Sequence, residues 1–213
     1  MQTAIAQPLS GARRVQLHPV RSRTTCHLEW TEARRLLTEL ETEGQYNTAL
    51  MCAAGFYFGL RVSDILRLKW GQVRRPKFTA VEGKTGKTRV VTVHAEFAAL
   101  LDRYLAAIPA RNQPAAGAYI FTPQRSHRHG QPISVTAANK RFAAALDRHG
   151  IDTANKSTHT MRKTFGRRVW EKNGKSEAAL VLLSQIFNHQ SIAVTRRYLG
   201  ITADEISAAY ISL

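Results

Sequence analysis

A chain of 213 residues can bury one good core, or one domain and a small appendage, and an apolar fraction of 44% is ordinary for a globular protein. Lys and Arg number 31 against 15 Asp and Glu, a net charge of +16, which points to a polyanionic partner, nucleic acid first. No apolar run approaches a membrane span, the first residues lack the apolar core of a signal peptide, and Cys26 and Cys52 have no metal or disulfide spacing; a cytoplasmic protein without membrane, metal or cofactor is expected.

Residues 1–28 contain no acid and carry Arg13, Arg14, Arg21 and Arg23 with Pro8 and Pro19. They read as a basic, irregular arm, either tracking DNA or solvated. Globular structure is expected from Leu28. Thr31 is placed to cap a helix carrying Leu36, Leu37 and Leu40, and Asn47 to Leu60 reads as a buried helix. Ser63 is placed to cap a short one with Ile65, Leu66 and Leu68.

The stretch from Val81 to His94, VEGKTGKTRVVTVH, contains Gly-Lys-Thr twice. A nucleotide-binding P-loop needs a glycine five residues before the Gly-Lys pair, and those positions hold Phe78 and Val81. The β-branched run after Thr88 reads as a strand, whereas a P-loop leads into a helix. A hairpin is therefore expected, with strands Phe78–Gly83 and Thr88–Val93 and a basic tip at Lys84 to Lys87.

Glu96–Ile108 is an amphipathic helix with Leu100, Leu101, Tyr104 and Leu105 on one face. Arg111–Gly117 is a loop, Tyr119 to Phe121 a small strand, and Pro123–Pro132 a loop whose His127 and His129 read as solvated. Further helices are expected at Ser134–Arg148, His159–Glu171, Ala178–Phe187, Ser191–Leu199 and Thr202–Tyr210, the last with a capping box from Thr202 and Glu205. The fold class is mainly α with a small antiparallel β-sheet (α+β).

Five features combine basic groups with a nucleophile. Arg61 lies in GLRVSD, Lys84 at the hairpin tip, and His159 and Arg162 at i and i+3 of one helix. His189 precedes Tyr198 by nine residues, and Tyr198 follows Arg196 and Arg197. In this order and spacing, GLRVSD, GKTGKTRVVTV, H-x-x-R and N-H…R-Y resemble the catalytic domain of the tyrosine recombinases, or phage integrases. The resemblance covers residues 28–213. It departs from the family's usual pattern in Lys163, where a second His often follows the motif arginine, and in Phe187-Asn188-His189 in place of Leu-Gly-His. The family's usual N-terminal DNA-clamping domain has no counterpart in residues 1–27.

The resemblance implies a role for each residue. Tyr198 would attack phosphorus and form a 3′-phosphotyrosyl link. Arg61 and Arg162 would hold the non-bridging oxygens. Lys84, or its rival Lys87, would protonate the leaving 5′-oxygen. His159 would handle the tyrosine proton and His189 would donate to a non-bridging oxygen. With the arm arginines, Lys87, Arg89, Lys163, Arg167 and Arg197 make the expected DNA contacts. Double-stranded DNA is the expected partner, with a monomer free in solution and a homotetramer on paired sites. Ile206, Tyr210 and Leu213 form an apolar stripe that either docks between protomers or packs on its own core. Two other readings remain open. One is a metal-dependent nuclease using Asp64, Glu82 and Lys84; the other is a DNA-binding regulator without cutting activity. A type IB topoisomerase shares nearly the same chemistry.

Overall fold

The structure, a computed structural model, describes residues 26–83, 85–123 and 130–201. The arm arginines, Lys84, His127, His129 and the helix expected at Thr202–Tyr210 lie outside the described residues. The rest is helical around one two-stranded sheet, as expected.

Helix α1 (Trp30–Thr42) turns Ala33, Leu36 and Leu40 inward along one stripe. Its cap position is Glu29, which makes no side-chain capping bond, so Thr31 sits inside the first turn instead of capping it. Helix α2 (Tyr46–Phe58) is buried almost all round and packs on α1 and four later helices. It stops at Gly59, whose φ of +57° is left-handed. Any Cβ there would come 2.3 Å from Phe165, so only glycine serves. The chain emerges extended at Arg61, which caps the short α3 (Val62–Ile65) by backbone alone. Ser63 is thus a residue of that helix and not its cap.

A short helix that the sequence reading did not anticipate, α4 (Trp70–Val73), leads into the hairpin of β1 (Lys77–Val81) and β2 (Thr88–Thr92). The strands pair antiparallel, with Thr79 opposite Val90. The stretch expected as a third strand makes only an isolated bridge, Lys69 with Tyr119. Its neighbours bond singly, Ile120 N–H to Leu68 and Ile133 N–H to Phe121, so no ladder propagates. Helices α5 (Ala95–Ala107), α6 (Val135–Arg148), α7 (His159–Lys172), α8 (Glu177–Phe187) and α9 (Ile192–Leu199) complete the order. Ser134, Ser176 and Ser191 cap α6, α8 and α9 by accepting from the third backbone N–H onward.

Two apolar clusters result among the described residues. The larger gathers α1 to α6 and the hairpin around Phe56, Phe97, Phe121 and Phe142. The smaller joins Trp170, Leu180, Leu183, Phe187 and Leu199 from α7, α8 and α9. Helix α7 belongs to both, through Met161 and Trp170. Glycines let its neighbours come close. A Cβ at Gly55 of α2 would sit 2.5 Å from Met161, and one at Gly166 of α7 would sit 2.6 Å from Leu199. Each fully buried large apolar side chain contributes about 1.5–3 kcal/mol.

Candidate active site

Two arginines join the clusters at the ends of two helices. Arg162, on α7, donates through Nη1 to the carbonyl of Gly59 (2.8 Å) and through Nη2 to that of Phe187 (3.1 Å). Arg89, on β2, donates to the adjacent carbonyls, Phe58 (2.7 Å) and Ile186. The last carbonyls of α2 and α8 have no intrahelical donors and carry partial negative charge, so a guanidinium satisfies both needs. Arg162 also lies over the Phe187 ring, 4.3 Å from its centre. Only 4% of it is exposed, and burial pushes its pKa down to about 10. It remains a cation near neutral pH.

Arg61 faces the same region from the cap of α3. Its Nη1 donates to Glu82 Oε2 at 2.7 Å. Asp64, the acid nearer to Arg61 in sequence, does not make this pair. Asp64 Oδ1 instead accepts from the backbone N–H of Gly83 (3.0 Å) and from Ser63 Oγ, tying α3 to the hairpin. Glu82 is 2% exposed. Burial alone would raise its carboxyl. Hydrogen bonds from Arg61 and Thr85 outweigh that and leave it below the ordinary range.

Tyr198 sits on α9 with its ring edge-on to Phe187 (5.4 Å) and to His189 (5.3 Å). Its hydroxyl is buried and makes no hydrogen bond of normal geometry among the described residues. Burial raises its pKa, and the charges of Arg162 and Arg61 draw it partway back. His189 follows Asn188, the left-handed cap of α8. Its Nδ1 shares a hydrogen bond with the buried Thr195 hydroxyl at 2.9 Å, which leaves Nε2 for another partner. His159 opens α7 one turn before Arg162. Partial desolvation, then the charges of Arg162, Lys163 and Arg61, lower its pKa. His189 is lowered by burial and by the same two arginines.

The family model described as "Phage integrase family" matches residues 27–205. The chain belongs to the phage integrase family. It is 31% identical over 160 residues to "Probable integrase/recombinase YoeC" of Bacillus subtilis, covering 73% of this chain and 80% of that protein. It is 30% identical over 181 residues to the tyrosine recombinase XerC of Bradyrhizobium diazoefficiens, covering 82% of this chain but 52% of that one. The chain thus spans about half the length of that XerC relative. The crystal structure of XerA recombinase superposes with a TM-score of 0.66 at 21% identity, over 89% of this chain and 65% of that one. The Tn1549 transposon integrase in complex with transposon right end DNA gives 0.65 at 14%, over 90% and 66%. These two likenesses establish the integrase-family fold.

Within this integrase-family chain, Arg61, His159, Arg162, His189 and Tyr198 come together from four separate segments, His159 and Arg162 sharing α7. Not every cation expected to contact DNA lies open at the surface. Arg89 is committed to two carbonyls. Lys163 is 6% exposed and lies 5.4 Å over the Tyr198 ring. Arg167 bonds Glu171 at 2.7 Å and covers Trp170. Lys87 and Arg197 are exposed, and Lys87 Nζ reaches Asn188 Oδ1 at 2.9 Å. The sequence reading missed Thr195, Asn188 and Gly166. Gly166 had a signal, a glycine inside a helix one turn after the motif arginine.

Proposed function

We propose that the chain carries the catalytic domain of a site-specific DNA recombinase working through a 3′-phosphotyrosyl intermediate without metal or ATP. In that reading Tyr198 Oη attacks phosphorus as His159 takes its proton. Arg61, Arg162 and His189 stabilise the charge on the non-bridging oxygens. Lys84 protonates the departing 5′-oxygen. A 5′-hydroxyl of the partner strand then attacks the phosphotyrosine, and Tyr198 leaves with its proton restored. The bond energy is kept in the covalent link.

The observation that carries the reading is the convergence at the end of α8. Arg162 lies over Phe187, and Tyr198 lies edge-on to both Phe187 and His189, its hydroxyl beside Arg162 but without a hydrogen bond of normal geometry among the described residues. A guanidinium has more donors than the two carbonyls consume, so Arg162 keeps hydrogens for a phosphate. The nuclease alternative needs Asp64 and Glu82 as metal ligands, whereas the hairpin amide and Arg61 occupy them.

Double-stranded DNA is the proposed substrate. No described helix is long and apolar enough to cross a membrane, and a cytoplasmic, DNA-associated protein fits that. The proposed assembly is a monomer in solution and a homotetramer on paired sites. Residues 1–27 are read as a basic arm and 28–213 as the catalytic domain. The test is covalent trapping on nicked duplexes drawn from a randomised pool, resolved on a denaturing gel. An adduct should form in EDTA and vanish in Tyr198→Phe, while DNA binding persists. Cleavage that requires Mg²⁺ and survives Tyr198→Phe would sink the proposal.

A further inference from the structure

We propose that Glu82 is a positioning residue for the cleavage reaction, one carboxylate oxygen that holds Arg61, the hairpin turn and the end of α8 in register. The inference rests on the recombinase reading. Glu82 Oε2 accepts from Arg61 Nη1 (2.7 Å), Thr85 Oγ1 (3.0 Å) and Asn188 Nδ2 (3.5 Å). The three donors come from different segments. Each is a candidate catalytic residue or the sequence neighbour of one: Arg61 itself, Thr85 beside Lys84, and Asn188 beside His189.

Burial decides between a permanent support and a removable placeholder. Glu82 is 2% exposed, whereas the Arg61 side chain is 24% exposed. The carboxylate therefore lies behind the guanidinium and leaves the outer edge of Arg61 open. A carboxylate that deep cannot part from its donors without being left charged and unpaired, which is strongly unfavourable. A phosphate approaching Arg61 would find it already oriented, with its rotamer freedom lost in advance. Lys87 strengthens the same junction from outside through Asn188 Oδ1.

The experiment uses the full chain and the nicked duplex that best traps the wild type. Glu82→Gln keeps the shape and removes the charge. Its adduct should form about 10–100-fold more slowly at saturating DNA, as expected for a displaced catalytic group, at an unchanged half-saturating DNA concentration. Glu82→Asp should recover part of the rate. The double variant with Arg61→Ala should be no slower than Arg61→Ala alone, because one residue acts through the other. A Glu82→Gln rate equal to wild type, a loss confined to DNA affinity, or losses that multiply in the double variant would each overturn the proposal. If Glu82→Gln does not fold, Thr85→Val and Asn188→Gly each remove one bond to Oε2 and should slow the adduct at saturating DNA; wild-type rates in both would overturn it. A wild-type chain that traps no DNA overturns the recombinase reading and this proposal with it. A trapping wild type matched by Glu82→Gln overturns this proposal alone.

Discussion

The Tyr198 hydroxyl is held as a phenol by burial, so attack on phosphorus needs a proton acceptor. His159 is suited to that role because its pKa lies below the ordinary imidazole value, about 6.5. A lowered pKa means the ring is neutral at neutral pH and becomes charged only under more acidic conditions. The adduct-forming rate should therefore hold steady as pH falls through neutrality and drop only below about pH 6.5. A single-turnover pH profile checks this, and a fall beginning near pH 8 would exclude His159 as the acceptor. The hairpin lysines are separated by leaving-group chemistry. Lys84→Ala should bind DNA but cleave on the order of 10²–10⁴ times more slowly. A 5′-bridging sulfur leaves as a thiolate and should restore cleavage to that variant but not to Arg61→Ala or Arg162→Ala. Rescue of Lys87→Ala alone would move the acid to Lys87.

At the scale of elements, the nucleophile is placed by a glycine. Gly166 lets α9 lie against α7, and a Cβ there would meet Leu199 and Phe187, the residues flanking Tyr198 in space. Gly166→Ala should cost about 1–3 kcal/mol by overpacking and slow the adduct at saturating DNA, while DNA affinity holds. Urea unfolding and single-turnover trapping read the two effects separately; wild-type trapping by a destabilised variant would detach the packing from the chemistry. Much at this scale was legible beforehand. The β-branched run after Thr88 identified the hairpin, and helical periodicity identified the long helices. Thr31 and Ser63 misled because a capping side chain is a local signal, whereas Glu29 and Arg61 take the cap position through tertiary placement. The charges show a related limit. A sequence shows that Arg89, Lys163 and Arg167 are cations but not that carbonyls, an aromatic ring or Glu171 already engage them. The catalytic candidates were legible because their order and intervals survive in sequence. Glu82 was not, since its three donors lie 21, 3 and 106 residues away.

Across the whole molecule the charge of +16 sets the physics of DNA binding. Affinity should fall steeply with salt, with a log–log slope of about −0.9 for each phosphate neutralised. Deleting residues 1–27 should make that slope shallower; an unchanged slope in a salt titration would mean the arm does not touch DNA. The two apolar clusters also make the molecule's integrity depend on its chemistry. Arg162 bridges them through the ends of α2 and α8 and is read as holding the scissile phosphate as well. The Tyr198 hydroxyl carries no such second duty, since it makes no hydrogen bond of normal geometry among the described residues and only adjoins Arg162. The two residues therefore differ in how a lineage can lose them. Drift that silences cutting can discard the tyrosine hydroxyl and leave a stable DNA-binding protein, but discarding the arginine loosens the joint between the clusters. Descendants that bind without cutting should have shed Tyr198 first and kept Arg162 longest.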